Sequence, residues 1–211
     1  MKIAIITDGN NVLGMGHVYQ SVTLAGELSK KIDSKCMIFF LTKSDQVVTD
    51  RLSETGFEVF RYPSDDAILQ ALVREAPDRV IFDKLDVPPN LARQIKQSLN
   101  CKLIIFTNLT AANKYANMTV LAGMGRNFKN VREIDAVSGV VHYFGPKYWI
   151  LRPEFFMYAK IPKEPLKQVK KIMLMFGGVD QLNLTCTVLD ELLRINGGGF
   201  AILVVVGRAY T

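Results

Sequence analysis

The sequence predicts an α/β fold, a parallel sheet with helices on both faces. Three observations carry this. Short apolar runs alternate with amphipathic stretches of helical period, the signature of βαβ units. The runs are continuously apolar, as expected of strands covered on both faces. The opening run leads straight into a glycine-containing loop and then a helical pattern, the usual start of such a domain.

In chain order, strands are expected at about 2–7 (KIAIIT), 36–41 (CMIFFL), 57–61, 79–83 (RVIFD), 102–107 (KLIIFT), 118–122 and 139–143. Helices are expected at about 17–31, 44–55, 65–75 and 89–98. Ser44, followed by Asp45, suits the N-cap of the second helix, which Gly56 ends; Pro88-Pro89 pre-sets the fourth. These elements form a first domain over residues 1–150. Residues 151–170 read as a linker, because lysines and two prolines (Pro162, Pro165) interrupt any apolar period. The pattern then restarts: a strand at 171–176, a loop Gly177-Gly178-Val179-Asp180, a helix at 183–195, a turn at Gly197-Gly198-Gly199 and a strand at 201–206. Two strands and a helix are too few to enclose a core, so 171–211 reads as a second domain only begun in this chain, with the natural protein expected to continue past Thr211.

With 49% apolar and 22% charged residues in 211, the composition is that of a globular protein. The first apolar run stops at Thr7-Asp8, too short for a secretory segment, and no run approaches the length of a membrane span. A cytoplasmic protein without a membrane span is expected. The net charge of +6 suits an anionic partner such as a nucleotide. The five lysines from Lys160 to Lys171 lack interleaved aromatic residues, so a solvated linker is favoured over a nucleic-acid surface. Cys36, Cys101 and Cys186 lack metal-site or CxxC spacing and read as buried free thiols. With His17 and His142 the only histidines, neither a metal nor another cofactor is expected.

The opening loop is the strongest candidate site. Gly9 and Gly14 bracket a turn after the first strand, and Gly16-His17 opens the helix. Such a junction aims unpaired backbone N–H groups and the positive end of the helix dipole at one point, suiting a phosphate or a developing oxyanion. A dinucleotide fingerprint needs a third glycine where Tyr19 stands, and a Walker loop needs lysine after its second glycine, whereas Met15 and Gly16 follow Gly14. The helix terminus favours a neutral His17 able to accept a proton from water or a hydroxyl; the same ring could equally cap the loop. Asp8, at the carboxyl end of the first strand, could meet a ligand or cap the loop.

Three blocks then carry a resemblance: Asp8-Gly-Asn-Asn-Val-Leu-Gly14-Met-Gly16-His17, Gly145-Pro-Lys-Tyr-Trp-Ile-Leu-Arg152-Pro-Glu154-Phe155, and Phe176-Gly177-Gly178-Val-Asp180-Gln-Leu-Asn183-Leu-Thr185. In order and spacing the chain resembles the nucleotide-sugar hydrolases of pseudaminic acid biosynthesis and the related spore-coat polysaccharide proteins. The resemblance implies a GT-B architecture, two Rossmann-like domains akin to those of the transferase that adds N-acetylglucosamine to lipid I. It also implies hydrolysis of UDP from an amino-sugar nucleotide, with His17 as the catalytic base. Asp8, Gly14, Gly16, Gln20, Asp83, Arg152, Gly177, Gly178 and Asp180 become candidates for holding the UDP-amino-sugar. Arg152 could instead pair with Glu154 to pin the linker, and Gly177-Gly178 could be only a tight turn. The chain departs from the family pattern in three places: Gln20 replaces an arginine, Lys84 follows Asp83 where histidine is usual, and Thr107-Asn108 replaces an acidic pair. A GT-B glycosyltransferase with a sugar acceptor, and a nucleotide-sugar-binding protein without catalysis, are the competing expectations.

Overall fold

In the computed structural model, residues 1–10, 14–32, 35–106, 110–123, 129–165 and 167–207 are described. Contacts between Cα atoms divide the chain into two units: Met1–Gly9 with Gly16–Arg152, and Asn10–Met15 with Pro153–Thr211.

The first unit is built on strands β1 (Lys2–Thr7), β2 (Met37–Thr42), β3 (Glu58–Arg61), β4 (Arg79–Asp83), β5 (Lys102–Phe106), β6 (Met118–Leu121), β7 (Val131–Ile134) and β8 (Val141–Phe144). They form one sheet in the order β3-β2-β1-β4-β5-β6-β8-β7. All neighbours are parallel except β7, which runs antiparallel to β8. The predicted fold class holds: this is an α/β Rossmann-like sheet. Its order reverses between β1 and β4, because the chain first builds outward through β2 and β3 and then returns to the other side of β1. Open α/β sheets bind ligands beyond the strand carboxyl ends at such a reversal.

Helices α1 (Gly16–Lys31), α2 (Gln46–Ser53), α3 (Asp65–Glu75) and α4 (Pro89–Ser98) connect the first five strands. Alternation along the strands assigns them to two faces. Register-paired Ala4, Phe39 and Val80, then Ile6, Leu41 and Phe82, share one core cluster with Ile68 and Leu72 of α3 and Leu91, Ala92 and Ile95 of α4. The intervening residues Ile3, Ile5, Ile38, Phe40 and Ile81 face the other way and are also buried. That face is covered by α1, which packs on β1 and β4 and buries Val18 and Ala25, and by α2, which buries Val48 and Leu52. Burial on both sides explains the continuous apolar runs.

Four local expectations are corrected. Asp45, not Ser44, caps α2: its side chain accepts from the Val48 N–H at 3.2 Å, while the Ser44 hydroxyl accepts from the Gly9 N–H at 2.9 Å. β7 was not anticipated, since VREI has no clear alternation and only its pairing with β8 makes it a strand. Helix α5 (Pro153–Tyr158) lies within the stretch read as linker; proline fits its first turn. Cys36 and Cys101 are half-buried and Cys186 is exposed, because the first two precede β2 and β5 at the amino edge of the sheet. Asn11, Val12 and Leu13 of the opening loop, and Thr107 and Asn108, lie outside the described residues.

The second unit contains α5, strands β9 (Lys171–Leu174) and β10 (Ala201–Val204), which pair in parallel, and helix α6 (Leu184–Asn196) between them. Among the described residues no helix is long and apolar enough to cross a membrane.

One side chain of the first core is mismatched to its surroundings. Thr7 is fully buried on the α1 face, opposite Asp83 in register, and its hydroxyl has no hydrogen-bond partner among the described residues. A buried unsatisfied hydroxyl costs about 1–3 kcal/mol, so a methyl group of the same shape should do better. Thr7→Val is expected to raise the denaturant midpoint by an amount worth about 1 kcal/mol. A lowered midpoint would mean that the hydroxyl is satisfied in solution.

Candidate active site at the ends of the first and fourth strands

Helix α1 begins at Gly16, so its first turns stand over the carboxyl ends of β1 and β4. Positions 17, 20 and 21 are three and four residues apart and therefore share one helix face. All three meet one carboxylate. His17 Nδ1 lies 2.8 Å from Asp83 Oδ1, Gln20 Nε2 donates to both Asp83 oxygens at 3.1 Å, and Ser21 Oγ donates to Oδ2 at 3.0 Å. Asp83, the last residue of β4, is fully buried, whereas the His17 side chain keeps 20% of its surface exposed.

This geometry bears on the chemistry available to the ring. An ionised carboxylate only accepts, so the proton on the facing nitrogen is that of Nδ1–H. Nε2 then carries the lone pair and is the basic atom. A histidine whose second nitrogen is tied to a carboxylate is the general-base arrangement of many hydrolytic enzymes. The helix terminus left His17 as base or loop cap, the family resemblance implied the base, and Gln20 and Asp83 were expected as contacts of a substrate. In the structure both are engaged with His17 or with each other.

A second cluster stands at the same strand ends. Asp8 Oδ1 accepts from Thr42 Oγ1 at 3.1 Å and from the Lys43 N–H at 2.8 Å, and Lys84 Nζ lies 2.5 Å from Asp8 Oδ2. The pair is nearly enclosed, with 7% and 13% of the Lys84 and Asp8 side chains exposed. Burial pushes the Asp8 carboxyl up, but the Lys84 ammonium, its hydrogen bond, the Lys43 N–H and the Thr42 hydroxyl together hold it below its ordinary value. Asp8 thus ties the β1 and β2 loops to the residue following β4. Ser21, Thr42 and Lys84 were not among the candidates. Ser21 left a faint signal as a polar residue on the buried stripe of α1, and Lys84 left one as a cation directly after a strand-ending aspartate.

The remaining candidates come from other stretches of the chain or from the start of α1. Gly14 has φ +77°, a conformation suited to glycine, and its N–H donates to the Asn10 carbonyl at 2.9 Å, closing the loop whose middle is not described. Gly16 is exposed at the start of α1. Arg152 is exposed and ends the first unit. Gly177, Gly178 and Asp180 belong to the second unit. There Gly177 has φ +82°, and Gly178 is approached so closely by Gly207 that a Cβ on Gly207 would stand 2.2 Å from the Gly178 carbonyl oxygen. Asp180 accepts from the Leu184 and Thr185 N–H groups at 2.9 and 2.8 Å, which caps α6.

No family model matches the chain. It is 43% identical over 216 residues to an uncharacterized protein of Methanocaldococcus jannaschii, a match covering 100% of this chain and 43% of that protein. It is 28% identical over 193 residues to the spore coat polysaccharide biosynthesis protein SpsG of Bacillus subtilis, covering 90% of this chain and 54% of that one. The chain therefore spans about half the length of these curated relatives. Among solved structures, MurG of Acinetobacter baumannii superposes with a TM-score of 0.50 at 9% identity, over 98% of this chain and 68% of that one. That likeness shows the fold, α/β Rossmann-like.

Proposed function

We propose that the chain carries the catalytic-base side of a nucleotide-sugar enzyme, and that it releases UDP from an amino-sugar nucleotide by attack of water at the anomeric carbon. The observation that carries the reading is the 2.8 Å contact between His17 Nδ1 and the buried Asp83, at the point where the strand order reverses. Relatedness to a spore coat polysaccharide biosynthesis protein supports a sugar-nucleotide substrate, and the three sequence blocks support the hydrolase.

In this mechanism water gives a proton to His17 Nε2 as its oxygen bonds to the anomeric carbon. The bond from that carbon to the β-phosphate oxygen breaks, and UDP leaves with the electron pair. Asp83 stabilises the imidazolium formed on the way, and the ring returns the proton to solvent. The N–H groups at the start of α1, from Gly16 on, favour the departing phosphate. Residues 1–150 supply the base and the acceptor side, residues 151–170 connect, and the loop at Gly177, Gly178 and Asp180 opens the region for the nucleotide-sugar. Arg152 is assigned to the anionic substrate, and Asp8 to the wall of the site beside it. Neither a cofactor nor nucleic acid has a part in it.

The test is UDP release from a panel of UDP-amino sugars by the wild type and a His17→Ala variant. Removing a general base is expected to slow release by about 10²–10⁴-fold. Equal rates would remove His17 from the mechanism. Faster release on adding a sugar acceptor would replace water by a sugar hydroxyl in the same step.

A further inference from the structure

We infer that Gln20 and Ser21 are positioning residues for His17, acting on it through Asp83, and that they select which imidazole nitrogen is basic. The inference deepens the proposed reaction and rests on His17 being its base.

The geometry of the acceptor carries it. A carboxylate offers about four lone-pair sites, two on each oxygen. Asp83 Oδ1 takes His17 Nδ1 at 2.8 Å and Gln20 Nε2 at 3.1 Å, and Oδ2 takes the same Gln20 nitrogen at 3.1 Å and Ser21 Oγ at 3.0 Å. A nitrogen shared between both oxygens lies close to the plane that bisects them, so it resists rotation of the carboxylate about its own axis. The Ser21 hydroxyl holds the oxygen that His17 does not use. With both donors in place, one orientation presents Oδ1 to the ring. Without them the buried carboxylate would turn to find donors elsewhere, and the opposing hydroxyl of Thr7, fully buried and unpartnered among the described residues, stands across from it in register. Nδ1 would then lose its acceptor, and the ring would be released to the Nε2–H form, in which the outward nitrogen has no lone pair to accept a proton.

Charge is the second part of the argument. Gln20 and Ser21 are neutral donors, so they satisfy the carboxylate without cancelling its negative charge. A lysine or arginine at position 20 would satisfy the same oxygens with a cation and compete with the imidazolium for that charge. The neutral clamp leaves the charge of Asp83 to His17. All three donors come from one helix face, so the arrangement is set by α1 alone once that helix is docked on β4.

The test reads the ring directly. The chain has two histidines, so ¹⁵N-imidazole spectra contain two spin systems, and the signals lost in His17→Gln identify the first. In the wild type, at a pH where the ring is neutral, Nδ1 of His17 is expected at the protonated-nitrogen shift and Nε2 at the lone-pair shift. In Gln20→Met/Ser21→Ala the two assignments are expected to exchange or to average. His142, whose Nδ1 faces the Thr119 hydroxyl at 2.6 Å, should keep its shifts and so reports that the fold persists. Should the double variant not fold, the single variants Gln20→Met and Ser21→Ala are read the same way. An unchanged His17 pattern in folded variants, or a wild-type ring in the Nε2–H form, overturns the inference. The spectra need no substrate: loss of the Nδ1–H pattern upholds the positioning role even if the protein releases no UDP, a result that would overturn the proposed reaction alone.

Discussion

Under the proposed reaction, replacing Asp83 by asparagine is expected to lower the rate of UDP release by about 10³–10⁴-fold while leaving the fold intact, the scale seen when the carboxylate behind a catalytic histidine is neutralised. Asparagine has the shape of aspartate. Its Oδ1 can still accept from Gln20 Nε2 and Ser21 Oγ, which now meet Asp83 at 3.1 and 3.0 Å, so the buried donors stay paired. Its amide then faces His17 as a donor, Nδ1 becomes the acceptor, and the proton moves to Nε2. The base is lost through its tautomer, with every heavy atom close to its original place. Asp83→Ala should lose activity too, but for a mixed reason, because it also strands the donors of His17, Gln20 and Ser21 in a buried position. The comparison therefore separates chemistry from packing: Asp83→Asn should be close to wild type in denaturant midpoint and far below it in turnover. Full activity in Asp83→Asn would detach the carboxylate from the reaction.

The largest effect on stability is expected at Lys84. Replacing it with methionine leaves the enclosed Asp8 carboxylate without its cation, and breaking a buried ion pair from one side costs about 3–5 kcal/mol. Removing both charges should restore much of the loss: in Asp8→Asn/Lys84→Met the amide at position 8 can still accept from Thr42 Oγ1 and the Lys43 N–H. Denaturant titrations of the wild type, the single variant and the double variant test this, and equal midpoints for the first two would show that the pair contributes nothing.

The dependence on acidity follows from the same contacts. The Asp8 carboxyl is pushed up by burial and more than brought back by Lys84, the Lys43 N–H and the Thr42 hydroxyl, so its folded pKa lies below its unfolded one near 3.8. A group lowered in the folded state stabilises it fully above the unfolded pKa, and the contribution is lost as pH falls through the folded pKa. The wild type should accordingly lose this advantage below about pH 4. In Lys84→Met burial remains and the cation does not, so the Asp8 carboxyl rises and acidification should narrow the gap between the two proteins. A gap that widens on acidification would contradict the assignment.

How much of this was legible in the sequence follows from the distance between partners. The runs KIAIIT, RVIFD and KLIIF announce buried strands because their side chains are covered from both faces, and that requirement is written locally in residue after residue. His17 was legible as a candidate for a similar reason: the glycines before it and the helix after it are its chain neighbours. The N-cap of α2 was placed one residue early because Ser44 and Asp45 are both good caps. The choice between them is made by the Gly9 N–H, which occupies the serine from 35 residues away. Strand β7 could not be read at all, since its only reason to be extended is the neighbour β8.

What the sequence determined by itself was the α/β class, the position of the opening loop and the identity of its histidine, all properties of contiguous stretches. What the tertiary structure alone decided was the company that histidine keeps. Asp83 lies 66 residues from His17, and Lys84 lies 76 from Asp8, so these pairs meet only because β4 docks beside β1 rather than beside β3. The physical reason is that helical period and strand burial act over a few residues. A buried carboxylate instead needs donors from wherever the sheet brings them, and at the reversal of strand order it finds them on the first turns of α1.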